Sequence, residues 1–204
     1  MKVPCTGVIL AGGLNKRFSG KNKAFVPIGK KSILSHIEEV FNDIFQEIIL
    51  VTNDPVQYFP YDFNIVTDLY MHRSSMTGIH AGLFYSTNPF SFICACDTPF
   101  LNKELVKTII DNIDVKSDVI VPETSKGLEP LCAVYSKRCI SFLENNLNNK
   151  KFKIKKFYSS VKVKKLPENL IREKDENLLS FVNINDDKDL AEAKQLFKLS
   201  FIKN

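Results

Sequence analysis

The sequence predicts a single α/β domain over residues 1–204, with helices on both faces of a mostly parallel central sheet, a three-layer α/β/α arrangement. Three observations predict it. Apolar runs of strand length recur along the chain with helix-period segments between them, the pattern of a parallel sheet covered on both faces. The first run opens directly onto a glycine pair, Gly12–Gly13. A later one, "SFICACD", ends in a carboxylate at Asp97, as a central buried strand with a polar tip would.

Element by element, Thr6–Ala11 reads as the first strand. "SILSHIEEVFNDI" carries a helix-period stripe of Ile33, Leu34, Ile37, Val40, Phe41 and Ile44, with Ser32 as its cap. Strands follow at Glu47–Thr52 and Asn64–Asp68, then a helix start in "TGIHAGLFYS". Ser91–Asp97 is the buried strand. "NKELVKTIIDNI" is amphipathic and capped by Asn102. Asp118–Pro122 and Leu131–Ser136 supply further strands, and Lys137–Leu147 another helix. The tail closes with strand-like "FVNIN" (Phe181–Asn185) and a helix from Asp186 to Lys198.

With 204 residues, 44% apolar and 25% charged, the chain can bury a substantial core. No stretch approaches the roughly 18 uninterrupted apolar residues of a membrane span. The start, "MKVPCTGVILAGG", lacks a secretory apolar region and cleavage site, so the expected location is cytoplasmic. Five scattered cysteines fit buried thiols better than a disulfide framework, and Cys94-x-Cys96 has no second pair to complete a metal site. The net charge of +5 suits anionic ligands. Lysines crowd between Lys150 and Lys165; a solvated face accounts for them better than a nucleic-acid patch, and some could assist a phosphorylated substrate.

The glycine loop belongs to neither common phosphate cradle. Six residues separate Gly13 from Gly20, where a P-loop has four, and Lys21 is followed by Asn22 instead of a hydroxyl. The dinucleotide fingerprint fails because Gly12 and Gly13 are adjacent. What remains is a small-residue turn that can offer backbone N–H groups to an anion, followed by the cations Arg17 and Lys23. Strand tips add Asn53, Asp68 and Asp97, all at the edge where open α/β sheets bind ligands. Each has a plainer reading alone: a tight turn, a solvated lysine, a turn cap. Asp97 has the weakest such alternative, since a carboxylate ending a buried strand is desolvated at a cost or paired with a cation such as Mg²⁺. Of the three histidines, His36 lies on a helix face, His72 in a loop and His80 at a helix start, none with a Ser or Cys partner for acyl chemistry.

At this point the chain resembles the bacterial molybdenum cofactor guanylyltransferases, a family of Rossmann-like nucleotidyltransferases. The resemblance rests on Leu10-Ala11-Gly12-Gly13, Arg17-Phe18, Gly20 and Lys23, then "GIHAGL", "CACDTPFL", "EPLCAVY" and "FVNINDDKDLAEA", in the family's order over nearly the whole chain. It implies transfer of GMP from GTP to molybdopterin-bound molybdenum, with pyrophosphate released. It further implies that Leu10, Ala11 and Gly12 meet the guanine through main-chain groups, and that Gly13 and Lys23 meet the phosphates. Asn53, Asp68 and Gly78 would complete the nucleotide site. Asp97 would hold Mg²⁺, Arg17, Lys23 and Asp97 would act in catalysis, and Asn183 and Asn185 would lie on the pterin side. Partners implied are GTP, Mo-molybdopterin, other proteins of cofactor biosynthesis and apo-molybdoenzymes, with no nucleic acid and no membrane.

The chain departs from the family pattern at Phe18 for Met, at Asn22 for a frequent Asp, and at Ile79-His80 for Pro-Leu. The alternatives are a molybdopterin cytidylyltransferase, another NTP:phosphate nucleotidyltransferase, and a nucleotide- or pterin-binding chaperone without catalysis. The paired glycines favour the guanylyl branch over the L-A-A-G pattern of pyrimidine-nucleotide relatives. Asn185 also has a structural reading, as the cap of the helix that follows it.

Overall fold

The computed structural model describes residues 4–12 and 22–202. The fold is the expected one: a mostly parallel sheet between two helical layers. Strand β1 (Thr6–Leu10) is followed by a small antiparallel hairpin, β2 (Pro27–Ile28) and β3 (Lys31–Ser32), which leads into α1 (Ile33–Ile44). Then come β4 (Ile48–Val51), β5 (Asn64–Val66), α2 (Ser75–Tyr85), β6 (Phe90–Ala95) and α3 (Lys103–Asp111). The second half contains β7 (Val119–Thr124), β8 (Gly127–Leu128), β9 (Cys132–Ser136), α4 (Cys139–Asn148) and α5 (Ile154–Phe157). It ends with β10 (Val163–Pro167), α6 (Glu168–Arg172) and α7 (Asp187–Ile202).

The main sheet runs β10-β7-β9-β6-β1-β4-β5, with β8 paired to β7. β5, β4, β1 and β6 are mutually parallel, and β10 is parallel to β7. The exceptions are β9, which is antiparallel to both β6 and β7, and the short β8, antiparallel to β7. Alternation along each strand divides the core into two faces. Ile9, Leu50, Cys94 and Val134 pack with α1 and α3 on one face. Val8, Ile49, Ile93 and Ala133 pack with α2 and α4 on the other.

Local signals explain the helices. Ser32 caps α1 by accepting the Ser35 N–H, and Asn102 caps α3 by accepting from Glu104 and Leu105, both as the sequence predicts. Two glycines four residues apart, Gly78 and Gly82, let α2 lie against β1. A Cβ on Gly82 would stand 2.5 Å from Val8 Cγ1, and one on Gly78 would stand 3.2 Å from Leu10 Cδ2. The start of α2 is thereby brought to the carboxyl end of β1.

Two expectations are corrected and a third gains detail. "FVNIN" is not a strand: a 3-10 turn spans Leu179–Phe181 and irregular backbone follows, with Ile184 fully buried and Phe181 packed partly against the same core. It is tied to the sheet end by the Ile184 N–H, which donates to the Asp97 carbonyl at 3.0 Å. The lysines of residues 150–165 are exposed except for the half-buried Lys164, as the solvated reading expects, and these residues also hold structure that the sequence does not announce. They enter α5, where Phe157 is buried, and then the edge strand β10, whose Lys164 donates to the Asn112 carbonyl at 2.9 Å. Finally, His80 does not begin a helix but lies buried inside α2, its Nε2 3.2 Å from Glu144.

The five cysteines stand as free thiols, with Cys5, Cys94, Cys132 and Cys139 buried. Burial pushes the Cys94 thiol up to about 12 despite its contact with Thr98 Oγ1 at 3.2 Å, so it is packing material and not a nucleophile. No helix among the described residues is long and apolar enough to cross a membrane.

Candidate active site

Strand order reverses between β1 and β6. The chain proceeds from β1 outward to β4 and β5, then returns to place β6 on the opposite side. Carboxyl ends of adjacent parallel strands part at such a point and leave a crevice. A cleft of about 300 Å³ lies there, floored by Leu10, Ala11 and Gly12 from the end of β1 and by Ala95, Cys96 and Asp97 from the end of β6. Lys23, Asp68, Arg73, Ser74, Ser75, Gly78 and Leu131 form its sides.

The floor is held by backbone bonds. Ala11 N–H donates to the Val51 carbonyl at 2.8 Å, and Cys96 N–H to the Leu10 carbonyl at 3.0 Å. Leu10 and Ala11 are therefore fixed between two strand tips. Gly12 faces the Asn53–Asp68 pair: a Cβ there would lie 3.9 Å from both Asn53 Nδ2 and Asp68 Oδ2. Asn53 Nδ2 donates to Asp68 Oδ2 at 2.8 Å, so Asn53 meets the cleft through Asp68 and is not itself part of the wall. Burial raises the pKa of Asp68, opposed by the Asn53 bond and by the Arg73 guanidinium.

Asp97 stands at the opposite lip. Burial raises its pKa, and the Lys23 ammonium opposes that rise. Thr98, whose hydroxyl donates to the Ala95 carbonyl at 2.7 Å, closes the turn beneath it. Lys23 opens a 3-10 turn (Lys23–Phe25) capped by Asn22, whose Oδ1 accepts the Ala24 N–H at 3.1 Å. The same side chain donates through Nδ2 to the buried Tyr58 hydroxyl at 2.8 Å and to Gln57 at 3.2 Å. Asn22, which the sequence shows only as a departure from Asp, is the anchor of the lysine-bearing turn.

Of the residues expected from sequence, Leu10, Ala11, Gly12, Lys23, Asp68, Gly78 and Asp97 line one cleft. Gly13 and Arg17 lie outside the described residues. Asn183 lines a smaller adjoining pocket, while Asn185 lines neither. The helix-cap reading of Asn185 is corrected too. Asp186 caps α7, its Oδ1 accepting from Lys188 at 3.0 Å and Asp189 at 2.9 Å. Sequence reasoning missed Arg73, Ser74 and Ser75. Their signal is a capping box in which Ser74 Oγ accepts the Thr77 N–H at 3.2 Å and Thr77 Oγ1 accepts the Ser74 N–H at 2.9 Å.

Residues 7–164 match the family model for the MobA-like NTP transferase domain. That match, on this fold, defines the class: an NTP transferase. A molybdenum cofactor guanylyltransferase of Desulfosudis oleivorans is 40% identical over 193 residues, covering 95% of this chain and 96% of the relative. A protein of Natranaerobius thermophilus, named a probable molybdenum cofactor guanylyltransferase, is 38% identical over 196 residues, 93% of this chain and 95% of its own. Among solved structures, molybdopterin-guanine dinucleotide biosynthesis protein A from Archaeoglobus fulgidus superposes with a TM-score of 0.84 at 26% identity, covering 95% of this chain and 98% of that one. The chain belongs to the molybdenum cofactor guanylyltransferase family.

Proposed function

We infer that this enzyme transfers GMP from GTP to molybdopterin-bound molybdenum, forming the molybdopterin guanine dinucleotide cofactor and pyrophosphate. The observation that carries the reading is that Lys23 and the half-buried Asp97 line the same cleft as Leu10–Gly12, with the Lys23 charge near enough to oppose the rise in the Asp97 pKa. A terminal phosphate oxygen of the acceptor attacks the α-phosphorus of GTP. The new O–P bond forms as the bond to the β-phosphate oxygen breaks, and pyrophosphate leaves with that electron pair. The attacking oxygen is already ionised near neutral pH, so the protein needs no nucleophile or base. Its task is alignment and charge neutralisation.

The family resemblance supplies the roles, and the lining of the cleft supports those of its residues that are described. Main-chain groups of Leu10, Ala11 and Gly12 receive the guanine, with Gly78, Asn53 and Asp68 completing the nucleoside side. Lys23, with Arg17 and Gly13 from the same loop, neutralises the departing pyrophosphate. Asp97 suits a hard divalent cation: it is an oxygen donor whose charge burial disfavours. No group of three or more His, Cys, Asp or Glu side chains among the described residues is arranged to hold a metal ion. The cation's other ligands would be phosphate oxygens and water, as Mg²⁺ prefers. When bound, that ion supplies positive charge to the phosphates undergoing transfer. Asn183, on the adjoining pocket, and Asn185 beside it serve the pterin side, and the enzyme works in the cytoplasm.

The test is a guanylylation assay on the purified chain with Mo-molybdopterin and each of GTP, CTP, ATP and UTP. GTP alone should give a dinucleotide product, and GTP at 100 times its Kd should stabilise the fold by about 2.7 kcal/mol. Preferential use of CTP would reassign the base specificity, and no turnover with any nucleotide would remove the transferase reading.

A further inference from the structure

A second pocket of about 140 Å³ adjoins the nucleotide cleft, and Leu131 lines both. Its walls include Thr98, Glu129, Cys132, Phe181 and Asn183. Glu129 sits on the short connection from β8 to β9, and that connection is well fixed. The Glu129 N–H donates to the Pro122 carbonyl at 3.0 Å, and its carbonyl accepts the Cys132 N–H at 3.2 Å. The next residue, Pro130, receives the hydroxyl of the buried Tyr135 at 2.9 Å.

On this turn the Glu129 carboxylate is half-buried and only partly satisfied. Oε1 accepts from Thr124 Oγ1 at 3.3 Å, and Oε2 accepts no hydrogen bond from the described residues. Burial raises its pKa against the opposing charges of Lys126 and Lys155. A carboxylate with acceptor capacity to spare, in a pocket with an aromatic side chain, complements a flat heterocycle that presents adjacent N–H donors. The edge of a 2-amino-4-oxopyrimidine has that form. Guanine and a pterin both carry it, so the chemistry is shared between donor and acceptor. The acceptor is favoured here, because Glu129 opens onto the pocket beyond Leu131 and does not line the Leu10–Gly12 cleft.

We propose that Glu129 is a specificity-determining residue for the acceptor, taking the amino-pyrimidinone edge of its pterin. This rests on the guanylyl-transfer reading above. The experiment compares wild type, Glu129→Gln and Glu129→Asp in steady-state guanylylation with GTP and Mo-molybdopterin, alongside GTP calorimetry and melting points. Glu129→Gln should raise the acceptor KM by about tenfold, the loss expected for a charged hydrogen bond, while kcat and GTP affinity stay near wild type. Glu129→Asp retains the charge and should fall between the two, and it carries the test if the Gln variant fails to fold. An unchanged acceptor KM in a folded variant overturns the proposal. So does weakened GTP binding with an unchanged acceptor KM, which assigns the carboxylate to guanine. Failure of wild type itself to turn over Mo-molybdopterin sinks the parent reading, and is distinguishable because no substitution is then involved.

Discussion

The backbone N–H of Ile184 donates to the carbonyl of Asp97 at 3.0 Å, so the tip of β6 and the segment bearing Asn183 and Asn185 share one hydrogen bond. Ile184 is fully buried between two exposed asparagines, which makes it the peg that sets their height relative to Asp97. The carboxylate proposed to meet the metal and the amides proposed to meet the pterin are thus positioned together.

Asp97→Asn should lower metal-dependent turnover by about 10²–10³-fold, the usual cost of removing one stabiliser of transition-state charge. It should also raise the melting point of metal-free, nucleotide-free protein near neutral pH. Burial lifts the Asp97 pKa in the folded chain, so the folded state holds that proton more tightly than the unfolded state does. The charged form therefore opposes folding above the folded pKa, and the penalty fades as pH falls through it. Calorimetric scans over that range would show the wild type closing on the variant as the solution is acidified. A constant gap across pH would mean the Asp97 charge is not the source.

Lys23→Ala should weaken GTP by about ten- to a hundredfold and GMP far less, since the lost ammonium is assigned to the outer phosphates. Titration calorimetry with both nucleotides decides it. Equal losses would move Lys23 to the nucleoside end of the cleft.

The Asn22–Tyr58 bond of 2.8 Å predicts energetic coupling between the two side chains. Asn22→Ala and Tyr58→Phe should each raise the KM for GTP by loosening the turn that carries Lys23. The double variant should fall short of additivity by at least about 0.5 kcal/mol. Fully additive effects would show that the bond does not position the lysine.

At the start of α7, Asp186→Ala should cost about 1 kcal/mol of stability and leave turnover per folded molecule alone, because Asp186 is the cap. Asn183→Ala and Asn185→Ala should do the opposite: a steady melting point and GTP affinity, with poorer use of Mo-molybdopterin. An asparagine whose substitution moves only the melting point has no place in the site.

Helices with a capping residue and a clean apolar stripe were legible in the sequence, as Ser32 and Asn102 show, and so were the buried strands ending at Leu10 and Ala95. The direction of β9 was not, because an apolar run carries no sign of which way its neighbours point. β10 was hidden in a lysine run, since an edge strand needs few apolar side chains and here uses lysine as one partner of the Lys165–Glu123 pair at 2.8 Å. "FVNIN" misled for the converse reason: alternation marks which side chains are buried, yet strand pairing also needs a neighbouring ladder. In the site, motif residues on the strand tips were readable. Arg73 was not, since its place on the cleft comes from packing of α2, and Glu129 was read only as part of the "EPLCAVY" motif near the pterin side, its carboxylate being placed on the adjoining pocket by the β8–β9 turn.

The reversed strand has a consequence for how the two rims of the cleft can diverge. In a wholly parallel sheet only segments that leave a strand reach the carboxyl edge. Because β9 runs the other way, the segment that enters it, Glu129–Leu131, arrives at that same edge. The nucleotide rim is built from chain exits and the opposite rim from a chain entrance, two stretches far apart in sequence. Replacing Glu129 or Pro130 can therefore change the adjoining pocket while the Leu10–Gly12 floor keeps its register with Val51 and Cys96; Leu131, which lines both, is the shared wall. On the proposed roles, substitutions at Glu129 would alter acceptor use without touching the strand tips that floor the nucleotide cleft.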